Sequence, residues 1–255
     1  MQYMRITKDN IGNEHICCAL GAKQYESAVQ DKKSWLCDRM DDGLTFFRLN
    51  ERAKVFIEYL PADKAWVPVE APNYMYINCL WVSGRHKDSG HGKQLLGQCK
   101  EDAIALGMDG IVHIVGKKKL PYLSDKKYFE HQGFQIVDQA EPYFELAVLQ
   151  WNEQAATPTF KNVAKAAAAV PGQGVHIYYT AQCPFAVGVL DDLRKIADDR
   201  GIACQAHRLR TREEARQAPS VWTTFSLFYD GRFVTHEILS PGKFEKLLEK
   251  LGNRP

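Results

Sequence analysis

The chain has 255 residues, 45% hydrophobic and 25% charged, the balance of a globular protein and not of a disordered or collagen-like one. Thirty-three Lys+Arg against 31 Asp+Glu leave a net charge of +2, without the concentrated basic excess of a nucleic-acid binder. No stretch approaches the ~18 apolar residues of a membrane span, and the opening MQYMRITKDN lacks the apolar core of a signal peptide. A cytoplasmic protein of one large or two smaller domains is expected, with no nucleic-acid or membrane partner.

Seven cysteines, Cys17, Cys18, Cys37, Cys79, Cys99, Cys183 and Cys204, are too sparse and too irregular for a secreted disulfide framework. Most should be small buried hydrophobes. His15, Cys17 and Cys18, with Cys37 beyond them, invite a zinc reading. Adjacent cysteines do not easily face one tetrahedral ion, however, and the chain has no Cys-x-x-Cys pair. A buried helix or pocket-lining thiols fit better, and no metal site is expected.

In chain order, an opening strand and helical region precede two strands at 44–49 (LTFFRL) and 55–60 (VFIEYL), joined by a turn. A longer strand rich in aromatic and β-branched residues follows at 74–82 (YMYINCLWV). Residues 93–106 place Leu95, Leu96, Cys99, Ala103 and Leu106 on one helical face. A short strand is predicted at 110–115. Ser124 can cap a helix running to about Gln132, with Gly133 as its left-handed stop. Strands at 134–137 and 143–151 should pair antiparallel.

Residues 152–160 (NEQAATPTF) read as a linker, and the Ala-rich 161–170 as a connecting helix ended by Pro171-Gly172. Beyond it come a strand at 175–179, a helix from Cys183-Pro184-Phe185 to about Arg200, a strand at 203–209 and a short helix at 212–217. Strands at 225–228 and 233–238 flank the turn Asp230-Gly231, and an amphipathic helix at 244–251 closes the chain. The expected domains are 1–151 and 171–255, with 152–170 between them.

The most informative segment is VSGRHKDSGHGKQLL, residues 82–96, where K-x-x-G-x-G lies between a strand and a helix. Glycine lets the backbone approach a ligand with no β-carbon in the way. The bare amides and dipole of the helix's first turn favour an anion, here a pyrophosphate. A Walker loop fails because Gln94 follows Lys93. A dinucleotide fingerprint fails because Leu95 stands where its third glycine belongs.

This loop, with the Gly133-Phe134 end of the following helix, resembles the acetyl-CoA loop of the GNAT N-acetyltransferase family. Lys87 stands where that family usually has Arg or Gln, which keeps charge but loses a planar fork. HICC, VFIEYLPADKAWVPVEA, WVSG, LSDKKYF, PYFEL and QCPF extend the resemblance to the YoaP-like branch, whose members carry a small C-terminal domain. It implies an α/β (α+β) fold with a GNAT-type mixed central sheet flanked by helices, joined to a smaller thioredoxin-like α/β domain. It also implies acetyl-CoA as cofactor and a small-molecule or peptide amine as acceptor. The pantetheine arm should run along 77–82 against the backbone of Leu80, Trp81 and Val82. The diphosphate should lie on Lys87, Asp88, Ser89, Gly90, His91, Gly92 and Lys93.

The family often places a tyrosine five residues before the Gly-Phe phenylalanine to protonate the leaving thiolate. That count lands on Phe129, so Tyr128, one place earlier, is the candidate acid. Residues 75–82 contain no carboxylate base, which leaves Glu58, His113 and Glu70 to act through water. Cys79 keeps a covalent route open, and the run Lys117-Lys118-Lys119 could contact a 3′-phosphate or an acidic substrate.

In the second domain VHIYYTAQCPF and FSLFYDGRFV resemble the active-site turn and final hairpin of thioredoxin-like domains. Cys183 would head a helix as a reactive thiol. Ala186 removes the resolving cysteine of that motif, Thr223 stands where a cis-proline is usual, and Cys204 falls on a different strand. The competing reading is a CoA-binding thiol-redox or partner-binding protein that uses Cys183 without acetyl transfer.

Overall fold

A computed structural model describes residues 2–16, 19–165 and 169–252. The elements are β1 (Tyr3–Ile6), α1 (Glu26–Met40), β2 (Thr45–Leu49), β3 (Val55–Pro61), β4 (Val69–Glu70), β5 (Tyr74–Val82), α2 (His91–Ala105), β6 (Gly110–Gly116), α3 (Lys126–His131), β7 (Gln135–Ala140) and β8 (Phe144–Gln150). They continue with β9 (Thr159–Phe160), α4 (Asn162–Lys165), β10 (Val175–Tyr179), α5 (Pro184–Gly188), α6 (Leu190–Asp198), β11 (Cys204–Arg208), α7 (Arg212–Arg216), β12 (Phe225–Tyr229), β13 (Arg232–Thr235) and α8 (Pro241–Gly252).

Seven strands form one mixed sheet in the order β1-β2-β3-β5-β6-β8-β7, and four form a second in the order β11-β10-β12-β13. The expected mixed α/β architecture is the one the chain adopts. Only β5–β6 is parallel in the large sheet and only β10–β11 in the small one.

Alternation along the strands sends apolar side chains to both faces of the large sheet. Leu95, Leu96, Cys99 and Ala103 of α2, with Phe129 and Phe134, cover one face. The opposite face packs against Trp35 and Leu36 of α1 and against Val221 and Trp222 from the second sheet's side of the chain. A separate core, including Val175, Ile177, Leu193, Leu227 and Phe244, lies inside the smaller unit.

Helix α1 buries Ala28, Lys32, Trp35 and Leu36, a spacing that fits one helical face. The charged member of that stripe is compensated. Lys32 Nζ lies 2.8 Å from Glu58 Oε2 on β3, and Asn78 Nδ2 donates to Glu58 Oε1 at 2.9 Å.

Several boundaries differ from expectation. Helix α2 starts at His91, because Gly90 at φ 79° serves as its N-cap, and Leu106 is exposed just beyond its end. Asp125, not Ser124, caps α3 by accepting from the Lys127 amide, while Ser124 bridges to Val115. The helix expected at 184–200 is two, α5 and α6, meeting at Val189. Gly188 lies against Tyr25, whose ring a β-carbon there would overlap. His15 sits in a loop, not a helix, with Nε2 2.8 Å from the Glu51 carbonyl. Cys17 and Cys18 lie outside the described residues, and no metal-binding cluster exists among the described ones.

The expected linker is anchored rather than loose. Its end forms β9 against β4, the Phe160 amide donates to Asp138, and Lys165 pairs with Asp138 at 2.8 Å. Of the connecting helix, α4 is its described part, and 166–168 lie outside the described residues.

The two sheet units are fastened by polar contacts, most of them buried. Thr223 Oγ1 donates to the Trp66 carbonyl at 2.6 Å, Arg208 pairs with Asp31 at 2.8 Å, and Gln182 Nε2 donates to the Asn78 carbonyl at 3.3 Å. His236 is held between the Tyr143 hydroxyl and the Pro121 carbonyl, each at 2.8 Å.

Replacing Lys32 by Met leaves the Glu58 carboxylate buried without its cation, so Lys32→Met should lower unfolding free energy by about 3 kcal/mol. The double variant Lys32→Met/Glu58→Leu should recover at least half of that in denaturant titrations. Burial pushes His113 and His236 down to about 4. Between that value and the 6.5 of a free histidine, the unfolded chain binds more protons than the folded one. Stability should be full above about pH 7 and fall on the order of 3 kcal/mol per histidine as pH drops through that window. Melting curves across pH, with His236→Asn flattening the slope, check this.

Candidate active site

The site begins where two strands part. β5 and β6 are registered only at Tyr74–Gly110, Met75–Ile111 and Tyr76–Val112. β6 continues along β8 to Gly116, while β5 runs to Val82 on β3 alone. A register shift opposite Glu58 and Tyr59 leaves Asn78 as the extra residue of a bulge, and such bulges bend the strand that carries them.

The Ser83 amide donates to the Lys54 carbonyl on the β3 side. Amides alternate edges along a strand, so Trp81 N–H also points toward β3, while Leu80 and Val82 N–H face the gap. His113 closes the inner end of the gap, with Nδ1 2.8 Å from the Ile77 carbonyl.

Beyond β5 the chain turns through Gly84, Asp88 and Gly90, all at positive φ (64°, 60° and 79°). Gly90 contributes no side-chain cap to α2, and a β-carbon there would project into open space. The first-turn amides of His91, Gly92 and Lys93 are therefore available to an anion. Gly92 has a different role. A β-carbon on it would stand 2.9 Å from the Tyr128 hydroxyl, so its absence lets Tyr128 tuck beneath the helix.

Leu80, Trp81, Val82, Lys87, Asp88, Gly90, His91, Gly92, Lys93 and Tyr128 all line one cleft of about 840 Å³. Ser89 does not line it; its hydroxyl donates to the Lys87 carbonyl at 3.2 Å. The His91 side chain is buried inward, 2.6 Å from the Tyr3 hydroxyl, so its contribution to the cleft is backbone. Of the lysine run, Lys119 reaches the cleft wall, paired with Asp125 at 3.7 Å.

A second cavity of about 550 Å³ adjoins the first, and the two share Leu80, Trp81 and residues 121–124. Its floor includes Asn78, Cys79 and His113 from the large sheet, and its far wall Gln182, Cys183, Phe185 and Trp222 from the smaller unit.

The candidate acid–base residues fare differently. His113 is buried and its Nε2 has no hydrogen-bond partner. Because a carbonyl only accepts, the neutral ring carries its proton on Nδ1 and presents Nε2 as an acceptor. The Tyr128 hydroxyl is likewise buried without a partner, and burial pushes it up to about 12. The residue lines the cleft, with its hydroxyl against Gly92. Glu58 lines neither space; it is fully buried, bound to the two wall residues Lys32 and Asn78. Glu70 lies apart, paired with Lys161 at 3.4 Å on the outer surface.

Cys183 is the N-cap of α5 and lines the second cavity. Cys204 is registered with Val175, at the opposite end of β10, and burial pushes its thiol up to about 11. These two cysteines are not neighbours. Sequence reasoning missed Asn78, Gln182 and Trp222. Asn78, a polar residue within the apolar run YMYINCLWV, carried a visible signal; the other two acquire a role only when the units dock.

Residues 204–246 match the family model described as YoaP-like. The chain is 62% identical over 252 residues, 99% of its length and 100% of the relative's, to a Bacillus subtilis (strain 168) protein described as uncharacterized N-acetyltransferase YoaP. Among solved structures it is similar to the aminoglycoside 6′-N-acetyltransferase from Enterococcus faecium, with 10% identity, a TM-score of 0.44 and coverage of 59% of this chain and 97% of that one. It is also similar to the PaiA N-acetyltransferase from Thermoplasma acidophilum in complex with coenzyme A, with 14% identity, a TM-score of 0.40 and coverage of 59% and 100%. With nearly two-thirds of its residues shared end to end with that Bacillus relative, the chain belongs to the YoaP-like N-acetyltransferase family.

Proposed function

We propose that this protein transfers the acetyl group of acetyl-CoA to an amine acceptor, by direct attack in a ternary complex. The observation that carries this reading is the meeting of two spaces at Leu80 and Trp81, one lined by the first turn of α2 and the other by His113, whose Nε2 has no hydrogen-bond partner.

Acetyl-CoA supplies an activated thioester. The chain supplies its placement. The amides of His91, Gly92 and Lys93 bind the diphosphate, with Lys87 and Lys93 adding charge. Leu80 and Val82 N–H, turned toward the gap, take the pantetheine arm as an added strand and polarise the thioester carbonyl. Burial keeps Tyr128 protonated at neutral pH, so its hydroxyl gives a proton to the departing sulfur and regains the one that the acylated nitrogen sheds.

His113 is a weak base, because burial disfavours its charged form. Its Nε2 therefore orients a neutral amine by accepting one N–H, with the lone pair left aimed at the carbonyl. Glu58 acts through others, holding Lys32 and Asn78 in the cavity wall.

We read 1–151 as the acetyltransferase domain and 171–255 as a thioredoxin-like unit, joined by the anchored 152–170. The order β11-β10-β12-β13, with α5 following β10, supports that reading. The place of Cys183 in the second cavity, with Ala186 one helical turn on, favours acceptor binding over a disulfide cycle.

Gly90→Val puts a β-branched residue at φ 79°, which costs backbone strain and distorts the loop. Calorimetry should show acetyl-CoA affinity reduced at least 100-fold, with the melting temperature little changed. Tyr128→Phe should lower kcat roughly 10- to 100-fold while leaving acetyl-CoA affinity within a factor of a few, measured by release of free CoA thiol.

A further inference from the structure

We infer that the acceptor is a small amine carrying one carboxylate on an apolar body, such as an aromatic amino acid or a short peptide ending in one, and not a polycation. The inference rests on the acetyl-transfer reading above and concerns the second cavity alone.

The argument begins with charge. Among the described residues lining the cavity, Glu237 is the one carboxylate, and it is ion-paired with Lys243 on the same wall. Lys32 is engaged by the Glu58 carboxylate behind the wall at 2.8 Å. These pairs neutralise themselves. Lys54, also in the lining, is half-buried and forms none of the ion pairs seen among the described residues.

The cavity therefore presents a net positive wall. A polyamine or an aminoglycoside would bring several ammonium groups beside Lys54, where the one lining carboxylate, Glu237, is already paired with Lys243. In a partly enclosed space such like-charge contacts are costly. One anion on the acceptor reverses the sign, pairing with Lys54 as it leaves water.

Shape and position complete the assignment. Phe56, Trp81, Phe185 and Trp222 contribute flat apolar surface, which suits a hydrophobic or aromatic body. Lys54 stands opposite Ser83, where β5 leaves the sheet. Asn78 and His113 lie at the inner end, where the strands part. Five residues of strand separate these ends, roughly 16 Å of backbone. With the reach of the lysine chain and one ion-pair distance subtracted, the amine and the anion lie roughly 7 Å apart, the span of a dipeptide and not of a free amino acid.

The cavity wall from the smaller unit is part of this recognition. Trp222 and Phe185 come from that unit, and Gln182 ties it to the bulged Asn78. The smaller unit thus selects the acceptor.

The test uses the full chain with acetyl-CoA and reads both free CoA thiol and the mass of the acetylated product. The amines are phenylalanine, Ala-Phe, Ala-Phe methyl ester, spermidine and kanamycin. Ala-Phe should be the best of them, with kcat/KM at least tenfold above its ester, and the two polycations should react slowest. Lys54→Met should remove most of the preference for acid over ester while leaving acetyl-CoA affinity by calorimetry unchanged.

Faster acetylation of spermidine or kanamycin, equal rates for acid and ester, or an acid preference that survives Lys54→Met overturns the inference while the acetyl-transfer reading stands. So does acetyl-CoA binding with turnover of neither phenylalanine nor Ala-Phe. Failure to bind acetyl-CoA at all defeats both.

Discussion

The structure depends on the parting of β5 from β6 after three residue pairs. In a regular sheet the edge of β5 beyond Tyr76 would be satisfied by β6, and there would be neither groove nor site. The bulge at Asn78 bends β5 away, and β6 remains committed to β8. The Leu80 and Val82 amides are thereby released from the ladder on the half-buried wall of the cleft. Unsatisfied main-chain donors of this kind are costly unless a ligand or water takes them. Two side chains limit the opening: His113 fills the Ile77 carbonyl and Gln182 the Asn78 carbonyl.

The same bulge ties the chemistry to the second unit. Asn78 gives its side chain to Glu58, the partner of Lys32 on α1, and its carbonyl to Gln182, so one residue links β3 and, through it, α1 to the smaller unit. His236 performs a parallel service on the other side, holding the Pro121 carbonyl in the segment both cavities share. Packing of the small unit on the large sheet is therefore not incidental. It shapes the second cavity, and the apolar core that includes Trp35, Trp66 and Trp222 keeps that wall in place.

Much of this was legible in the sequence. The strand at 74–82 and the strand–loop–helix with Gly90 and Gly92 follow from local rules: β-branched runs, positive-φ glycines and a helical apolar stripe. Tyr128 was found by counting along a helix, but its facing depends on Gly92, thirty-six positions away. Helix ends were less readable because Gly90, Asp125 and Gly188 act through geometry that neighbouring residues could equally supply. Glu58 looked like a base on charge alone. Its pairing with Lys32 requires α1 to lie across β3, a fact no local pattern contains. Gln182 and Trp222 were invisible for the same reason.

A crystal structure of the protein with coenzyme A tests the central claim most directly. The account predicts diphosphate oxygens within hydrogen-bond distance of the amides of residues 87–93 and the pantetheine amides paired with Leu80 and Val82 in the gap between β5 and β6. Coenzyme A bound elsewhere, or that gap closed by the protein's own side chains, would contradict it.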